Sequence, residues 1–482
     1  MISMTIFKDA FFIGNEWVAP ASDRRFTLLN ASTGEEFGSA PEATEADVDA
    51  AVAAARKAFD SSGWSDAKPS YRAEVMQRFV AAIAARGDEI ARAVSTQNGM
   101  PIGLSAMLEG QFGAGVVQYY AQLAEGLGVP DVRPSQMGKE TLVDRSPLGV
   151  VAAIVPWNFP VTLALNKIAP AMAAGCTVVV KPSPGTILDG YLLAEAALEA
   201  GVPAGVLNWV AADREVGAYL VSHPGVDKVA FTGSTGAGRA IARTCGELLR
   251  PVTLELGGKS AAILLDDVDV GAFLQGVPTA SLLNNGQACY NGTRILAPRR
   301  RYDEIVGALA EFANALVVGD ALDPATQVGP LASSEHRVKV ESYIGIGKQE
   351  ARLVAGGGRP QATNRGWFVE PTIFANVDNG ARIAQEEIFG PVLSVIPYDG
   401  EEDAVRIAND SAFGLGGSVW SVDTDHATQV ARKVASGTVG VNGYMPSLGA
   451  PFGGIKASGL GREFGPEAIG AYQNTKSIYV MG

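Results

Sequence analysis

The feature that most constrains the fold is an alternation of short apolar runs and amphipathic segments between residues 148 and 256. The apolar runs are GVVAAIVPW, CTVVVKPS, VLNWVAA, DKVAFTGS and PVTLELGG, and a segment of helical periodicity separates each run from the next. Such alternation is typical of a parallel, doubly wound sheet. We therefore predict an α/β fold here, and a second α/β sheet in residues 257–456, where the alternation is less regular.

The composition, and the segments outside this alternation, argue against several classes of function. The net charge is −13 without a Lys/Arg block, which argues against binding nucleic acid or anionic membrane. No apolar run approaches ~18 residues and the N-terminal segment lacks a secretory pattern, so neither a membrane span nor a signal peptide is expected. Cys176, Cys245 and Cys289 show no metal or disulfide spacing, which indicates a reducing cytoplasm.

Polar motifs follow several predicted strands, where a parallel sheet faces its ligand crevice. Asn158 in PWNFP either directs an amide N–H at an oxyanion or forms an Asx turn before Pro160. Lys181 in KPSPG either reaches a cofactor or is a solvated lysine. The small residues from Gly233 to Gly238 open a helix and suit a phosphate, although a plain turn has the same composition.

Two further residues suggest a nucleophile and a base. Cys289 lies in LLNNGQACYNGTR among small and polar residues, whereas Cys176 and Cys245 are predicted to be core residues. Glu255 lies inside the apolar strand LELGG, where burial would raise its pKa and make it a base near neutral pH. The alternative is a carboxylate held by backbone N–H groups.

Six motifs follow one another along nearly the whole chain: PWNFP at 156–160, FTGST at 231–235, LELGGKS at 254–260, GQAC at 286–289 with Arg294 five residues on, EEIFGP at 386–391 and PFGGIKASGLGRE at 451–463. Together they resemble the NAD(P)-dependent aldehyde dehydrogenase superfamily. The resemblance implies a cofactor domain at 1–124 and 148–256, a catalytic domain at 257–456, and a small β oligomerisation arm at 125–147 with the C-terminal strand in 457–482.

The resemblance also implies roles in oxidising an aldehyde to a carboxylic acid. Cys289 attacks the aldehyde, Asn158 holds the oxyanion, hydride leaves for the cofactor, and Glu255 activates the water that hydrolyses the thioester. Lys167 and Glu463 support Glu255 in proton relay. The implied cofactor contacts are Ile154, Pro156, Trp157, Lys181, Ser183, Pro184, Phe231, Gly233, Ser234, Leu256, Glu387 and Phe389. The implied substrate tunnel contains Phe159, Asn166, Leu283, Tyr290, Tyr444, Leu448 and Phe452.

One departure from the family pattern bears on the choice between NAD and NADP. Many NAD-preferring members carry a glutamate three residues after the strand-end lysine, where this chain has Pro184. The negative charge that repels the 2′-phosphate of NADP is therefore missing. NAD is the expected cofactor, and NADP is retained as an alternative. Arg214 would favour a 2′-phosphate, but Asp213 beside it argues against one. The mixed, arginine-free tunnel favours a neutral aliphatic or aromatic aldehyde, and a homodimer or homotetramer is expected.

Two other function classes compete with this interpretation. A cofactor-independent thiol hydrolase or amidotransferase would need a histidine beside Cys289. His223, however, lies beside a turn in the cofactor half, and His336 and His426 lie in predicted helices with no motif around them. A catalytically silent binding protein on the same fold would be expected to lack Cys289 or Glu255, and both are present.

Overall fold

A computed structural model describes residues 6–361, 363 and 365–481, so the termini of the first and last predicted domains lie partly outside the described residues. The strands up to Glu255 are β1 (Ile6–Phe7), β2 (Phe11–Ile13), β3 (Glu16–Val18), β4 (Arg25–Leu29), β5 (Glu36–Pro41), β6 (Asp131–Pro134), β7 (Glu140–Pro147), β8 (Val150–Ile154), β9 (Thr177–Lys181), β10 (Leu207–Trp209), β11 (Lys228–Thr232) and β12 (Val252–Glu255). The helices in this part are α1 (Glu45–Ser61), α2 (Pro69–Ala84), α3 (Gly87–Asn98), α4 (Ile102–Ser105), α5 (Phe112–Ala124), α6 (Pro160–Ala174), α7 (Leu188–Glu199), α8 (Arg214–Ser222) and α9 (Thr235–Glu247), with a π-helix at Ala106–Gln111.

The second part of the chain continues the alternation. Its strands are β13 (Ala261–Leu264), β14 (Arg294–Pro298), β15 (Arg352–Ala355), β16 (Thr372–Ala375), β17 (Val392–Tyr398), β18 (Gly417–Trp420), β19 (Gly440–Val441), β20 (Gly459–Leu460) and β21 (Gln473–Val480). Its helices are α10 (Val270–Ala280), α11 (Tyr302–Ala315), α12 (Ser334–Glu350), α13 (Arg382–Gln385), α14 (Glu401–Asn409), α15 (Thr424–Ala431) and α16 (Glu467–Gly470), with 3-10 turns at Arg299–Arg301 and Lys456–Ser458.

The predicted parallel sheet forms from the five strands of the 148–256 alternation. The full order is β20-β12-β11-β8-β9-β10-β2-β3, and the strands from β12 to β10 pair in parallel. The chain runs outward from β8 through β9 and β10, and then crosses to the other side of β8 to form β11 and β12. This reversal opens a crevice at the carboxyl ends of β8 and β11.

The second α/β sheet is also confirmed. It has seven strands in the order β15-β16-β17-β14-β13-β18-β19, and every pairing is parallel except that of β15 with β16. Its five inner strands are buried, the edge strands β15 and β19 are partly exposed, and helices pack on both faces. No helix in the described part of the chain is both long and apolar enough to cross a membrane.

The 125–147 segment forms the predicted hairpin, and the last strand of the same chain supplies one partner edge. Strand β21 pairs antiparallel with β7 over eight residue pairs, and β6 lies on the other side of β7. Residues 459–460, which the sequence prediction assigned with the arm, pair with β12 instead. Gly459 permits this close approach, since a Cβ there would lie 2.1 Å from the Leu254 carbonyl oxygen.

Candidate active site

The loop after β8 and the loop containing Cys289 meet at the crevice and fix the position of Asn158. The Asn158 backbone carbonyl accepts hydrogen bonds from Asn284 Nδ2 at 2.8 Å and Asn98 Nδ2 at 3.2 Å. Its own Nδ2 donates to the Gln287 carbonyl at 2.9 Å. The side chain therefore reaches across to the cysteine loop and does not form a local Asx turn.

Cys289 is a free thiol where two cavities meet. It lines both the crevice at the β8 and β11 ends and a separate apolar tunnel. Burial raises the pKa of the Cys289 thiol, and the carboxylates of Glu387 and Glu255 raise it further. The other two cysteines are fully buried, as predicted for core residues.

Glu255 is a buried carboxyl at the end of β12, with 3% of its surface exposed. Neither carboxyl oxygen has a hydrogen-bond partner within the described residues, so no backbone N–H holds it. Burial raises its pKa well above the usual range; Glu463 raises it further, whereas Lys167 lowers it. A desolvated carboxyl without partners is suited to accept a proton from water near neutral pH.

Lys167 and Glu463 form a buried ion pair beside this carboxyl. Lys167 Nζ lies 2.7 Å from Glu463 Oε1 and 2.6 Å from the Thr232 hydroxyl. The second Glu463 oxygen has no partner among the described residues. Asn158 and Cys289 thus line the crevice itself, whereas Glu255, Lys167 and Glu463 lie in a buried cluster beside it.

The crevice has a volume of about 220 Å³, and its walls suit a dinucleotide. Ser234 caps the N-terminus of α9, where free N–H groups favour a phosphate, and its Oγ accepts a hydrogen bond from Ala237 N. The Glu387 carboxylate accepts a hydrogen bond from Gly258 N at 2.9 Å, and burial raises its pKa. The predicted residues that line the crevice are Pro156, Trp157, Gly233, Ser234, Leu256, Glu387 and Phe389.

The other predicted cofactor residues lie behind or beside this wall. They are Ile154, Lys181, Ser183, Pro184 and Phe231, and none is among the residues that line the crevice. Lys181 Nζ donates to the Pro182 and Ala212 carbonyls, both at 2.9 Å, and burial lowers the pKa of Lys181 to about 8. Lys181 is therefore not the solvated lysine of the alternative interpretation.

Sequence reasoning missed His336 and Lys339 on the opposite wall of the crevice. His336 Nε2 donates to the Phe389 carbonyl at 2.6 Å, and its ring lies 5.1 Å from that of Trp157. Phe389 has a left-handed φ of 66°, so this hydrogen bond holds an unusual backbone conformation. Both residues lie on α12, far from every motif, and no local pattern marks them.

The apolar tunnel on the other side of Cys289 contains four of the predicted substrate residues: Phe159, Asn166, Tyr290 and Phe452. Tyr444 lies behind the wall with its ring 4.6 Å from that of Tyr290, Leu283 lines a different cavity, and Leu448 packs against the core. The tunnel residues that the prediction missed are Leu108, Phe112, Thr162, Leu163, Met445, Pro446 and Phe464. Thr162 and Leu163 lie one helical turn before Asn166 on α6, and this spacing was the signal that could have predicted both of them.

The two remaining histidines lie at the surface. His223 contacts Asp49 at 3.2 Å and His426 contacts Glu401 at 2.6 Å, so neither is near Cys289. Within the described residues, no group of His, Cys, Asp and Glu could hold a metal ion.

Comparison with known proteins agrees with this geometry. The aldehyde dehydrogenase family model matches residues 17–478. A geranial dehydrogenase of Castellaniella defragrans is 60% identical over 99% of this chain and 100% of its own length. A Mycobacterium tuberculosis aldehyde dehydrogenase solved with NAD⁺ is 46% identical, covers 99% of both chains and has a TM-score of 0.96. A Pseudomonas syringae aldehyde dehydrogenase solved with NAD⁺ and octanal is 39% identical, covers 99% of this chain and 97% of its own, and has a TM-score of 0.94.

Proposed function

Because the chain belongs to the aldehyde dehydrogenase family, and is thereby an NAD(P)-dependent oxidoreductase that acts on an aldehyde, we propose that it oxidises a neutral, apolar aldehyde through Cys289 and prefers NAD. The observation that carries the proposal is the position of Cys289, which lines both the dinucleotide crevice and the apolar tunnel. A thiol in that position contacts an aldehyde from one side and a cofactor from the other.

The Cys289 thiol releases its proton to solvent in the crevice, and the thiolate sulfur attacks the aldehyde carbon. Asn158 Nδ2 donates a hydrogen bond to the oxyanion of the resulting thiohemiacetal. Ser234, Glu387 and Phe389 would hold the dinucleotide in the crevice, where it would supply the acceptor for the hydride that leaves this carbon. Water then hydrolyses the Cys289 thioester, and Glu255 removes a proton from the attacking water. The ion pair of Lys167 and Glu463 offers the proton a path away from Glu255.

The preference for NAD rests on the charges near Lys181. Asp213 caps α8 with its carboxylate, and its charge raises the pKa of the Lys181 ammonium against the effect of burial. A carboxylate in this region opposes the 2′-phosphate of NADP, although Pro184 does not supply the glutamate that many NAD-preferring members have.

The tunnel supports a neutral aldehyde. Most of its lining is aliphatic or aromatic, and none of the described residues that line it carries a charged side chain. Geranial and octanal, the aldehydes named for two relatives, are both uncharged and apolar. We propose substrates of this class, because desolvating a charged aldehyde in such a tunnel would be costly.

We also propose a homo-oligomer that assembles through the arm, and a cytoplasmic location. Strand β6 is exposed along its whole length, and Val132, Met137 and Tyr479 on the arm are each more than half exposed. An exposed strand edge with apolar side chains is a surface for pairing with another chain. The cytoplasmic location rests on the free thiols, since Cys289 must stay reduced to act.

The test is a panel of neutral and anionic aldehydes with NAD and with NADP, in which kcat/KM is measured from the absorbance of the reduced cofactor. We expect neutral aldehydes and NAD to be preferred, and Cys289→Ala to abolish turnover. Activity in Cys289→Ala would refute the proposed nucleophile, and full-rate ester or amide turnover without cofactor would support a thiol hydrolase instead.

A further inference from the structure

We propose that Asn166 makes the substrate tunnel select, among neutral aldehydes with a largely apolar chain, for those whose chain carries one alcohol hydroxyl. This inference deepens the proposed aldehyde oxidation and rests on it. It concerns the part of the substrate beyond the reacting carbonyl, where the tunnel wall rather than Cys289 or Asn158 decides which aldehyde binds.

Asn166 is a buried amide in the wall of the tunnel. It lies on α6, one turn after Thr162 and Leu163, and only 2% of its surface is exposed. Its Oδ1 has no hydrogen-bond partner within the described residues. Buried polar groups in proteins are nearly always paired, so an amide oxygen without a partner in the wall of a ligand cavity is available to a donor on the ligand.

The neighbouring polar side chain shows the contrast. The Thr162 hydroxyl, one turn earlier on the same wall, donates to the Leu108 carbonyl at 2.6 Å. Thr162 is therefore satisfied within the protein, whereas Asn166 Oδ1 is not. Much of the remaining lining is apolar and includes Phe112, Leu163 and Phe464, whose side chains cannot pair with the amide.

An alcohol hydroxyl is the simplest group that matches an amide, because it can donate to Oδ1 and accept from Nδ2. A methylene in the same place would leave Oδ1 unpaired and desolvated. A site with an unpaired buried polar group discriminates strongly against an analogue that lacks the matching group.

The test uses benzaldehydes and cinnamaldehydes that carry either a hydroxymethyl or an ethyl group at each ring position, two substituents of similar size. The measured quantity is the ratio of kcat/KM for the hydroxymethyl member to that for the ethyl member, in the wild type, in Asn166→Leu and in Asn166→Ser. Leu163→Ala is the matched control, because it changes the shape of the same wall without removing a polar group.

We expect Asn166→Leu to lower this ratio about tenfold at one or more ring positions, with kcat/KM rising for the ethyl member and falling for the hydroxymethyl member. Asn166→Ser, which keeps a small hydrogen-bonding group, should retain an intermediate ratio and covers the case in which the leucine variant misfolds. Ratios that match the wild type at every position in both variants would overturn the role of Asn166. A wild-type enzyme that oxidises none of these aldehydes would instead count against the proposed apolar, neutral substrate class.

Discussion

Glu255→Gln is expected to have opposite effects on catalysis and stability. Loss of the base for hydrolysis should lower kcat by about 10²–10⁴. Because Glu255 is buried and neither oxygen is paired, removing its charge should also raise the free energy of unfolding near pH 8 by about 1–3 kcal/mol. A purely structural carboxylate would lose stability on the same substitution.

The direction of the pH dependence follows from the raised pKa of Glu255. The folded chain holds this proton more tightly than the unfolded chain, whose glutamates ionise at about pH 4.3. The native state is therefore favoured below that pH, and it loses stability as the pH rises toward the folded pKa. Glu255→Gln removes this loss, so the gain in stability should be large at pH 8 and small at pH 4.

Three measurements test this prediction. Urea unfolding at both pH values gives the stability difference, steady-state assays give kcat, and rapid mixing should still show a burst of reduced cofactor because the acyl-forming step precedes hydrolysis. The net charge of −13 means that any Glu→Gln change relieves repulsion, so the exposed Glu311→Gln is the matched control. Unchanged kcat, or a loss of stability at pH 8, would refute the assigned role.

The other predictions concern single contacts. Asn158→Ala should lower kcat by about 10²–10³ in steady-state assays while the protein keeps its fold, because its backbone carbonyl keeps its hydrogen bonds; a change below threefold would exclude an oxyanion role. Lys167→Met should lower the free energy of unfolding in urea by about 3–5 kcal/mol, because it leaves the buried Glu463 carboxylate unpaired. The same change should move the rising limb of the pH–rate profile to higher pH, because Lys167 lowers the pKa of Glu255. Pro184→Glu should raise the ratio of kcat/KM for NAD over NADP about tenfold relative to Pro184→Gln, and equal ratios would place residue 184 away from the ribose. Tyr290→Ala should alter relative kcat/KM across aldehydes without altering the KM for cofactor, and the reverse result would exclude a place in the tunnel.

The fold was predictable because its strongest signal is local. Each buried parallel strand from β8 to β12 lies in a short apolar run of the sequence. The burial of Glu255 was predictable because a carboxylate inside an apolar strand is unusual for its surroundings. The β12–β20 pairing was not predictable in this way, because two residues carry no periodicity.

The missed parts of the site depend on tertiary packing. His336 reaches the crevice only because α12 packs beside the Phe389 segment, and the sequence separation of the two residues hides this contact. Lys181 Nζ donates hydrogen bonds to backbone carbonyls of two loops, and the position of Lys181 at a strand end does not predict these partners. Leu283 and Tyr444 are near motifs in sequence, but neither lines the tunnel. Leu283 precedes the left-handed residues Asn284 and Asn285 and lines another cavity, and Tyr444 packs its ring behind Tyr290.

The pairing of β7 with β21 has a consequence for biosynthesis. Roughly three hundred residues separate these strands. During synthesis the edge of β7 therefore stays unpaired until the whole second sheet has been translated. A chain arrested before β21 would expose that edge to other nascent copies. Translation pauses or truncations within the last few dozen codons should therefore cause aggregation even when both sheets are already folded.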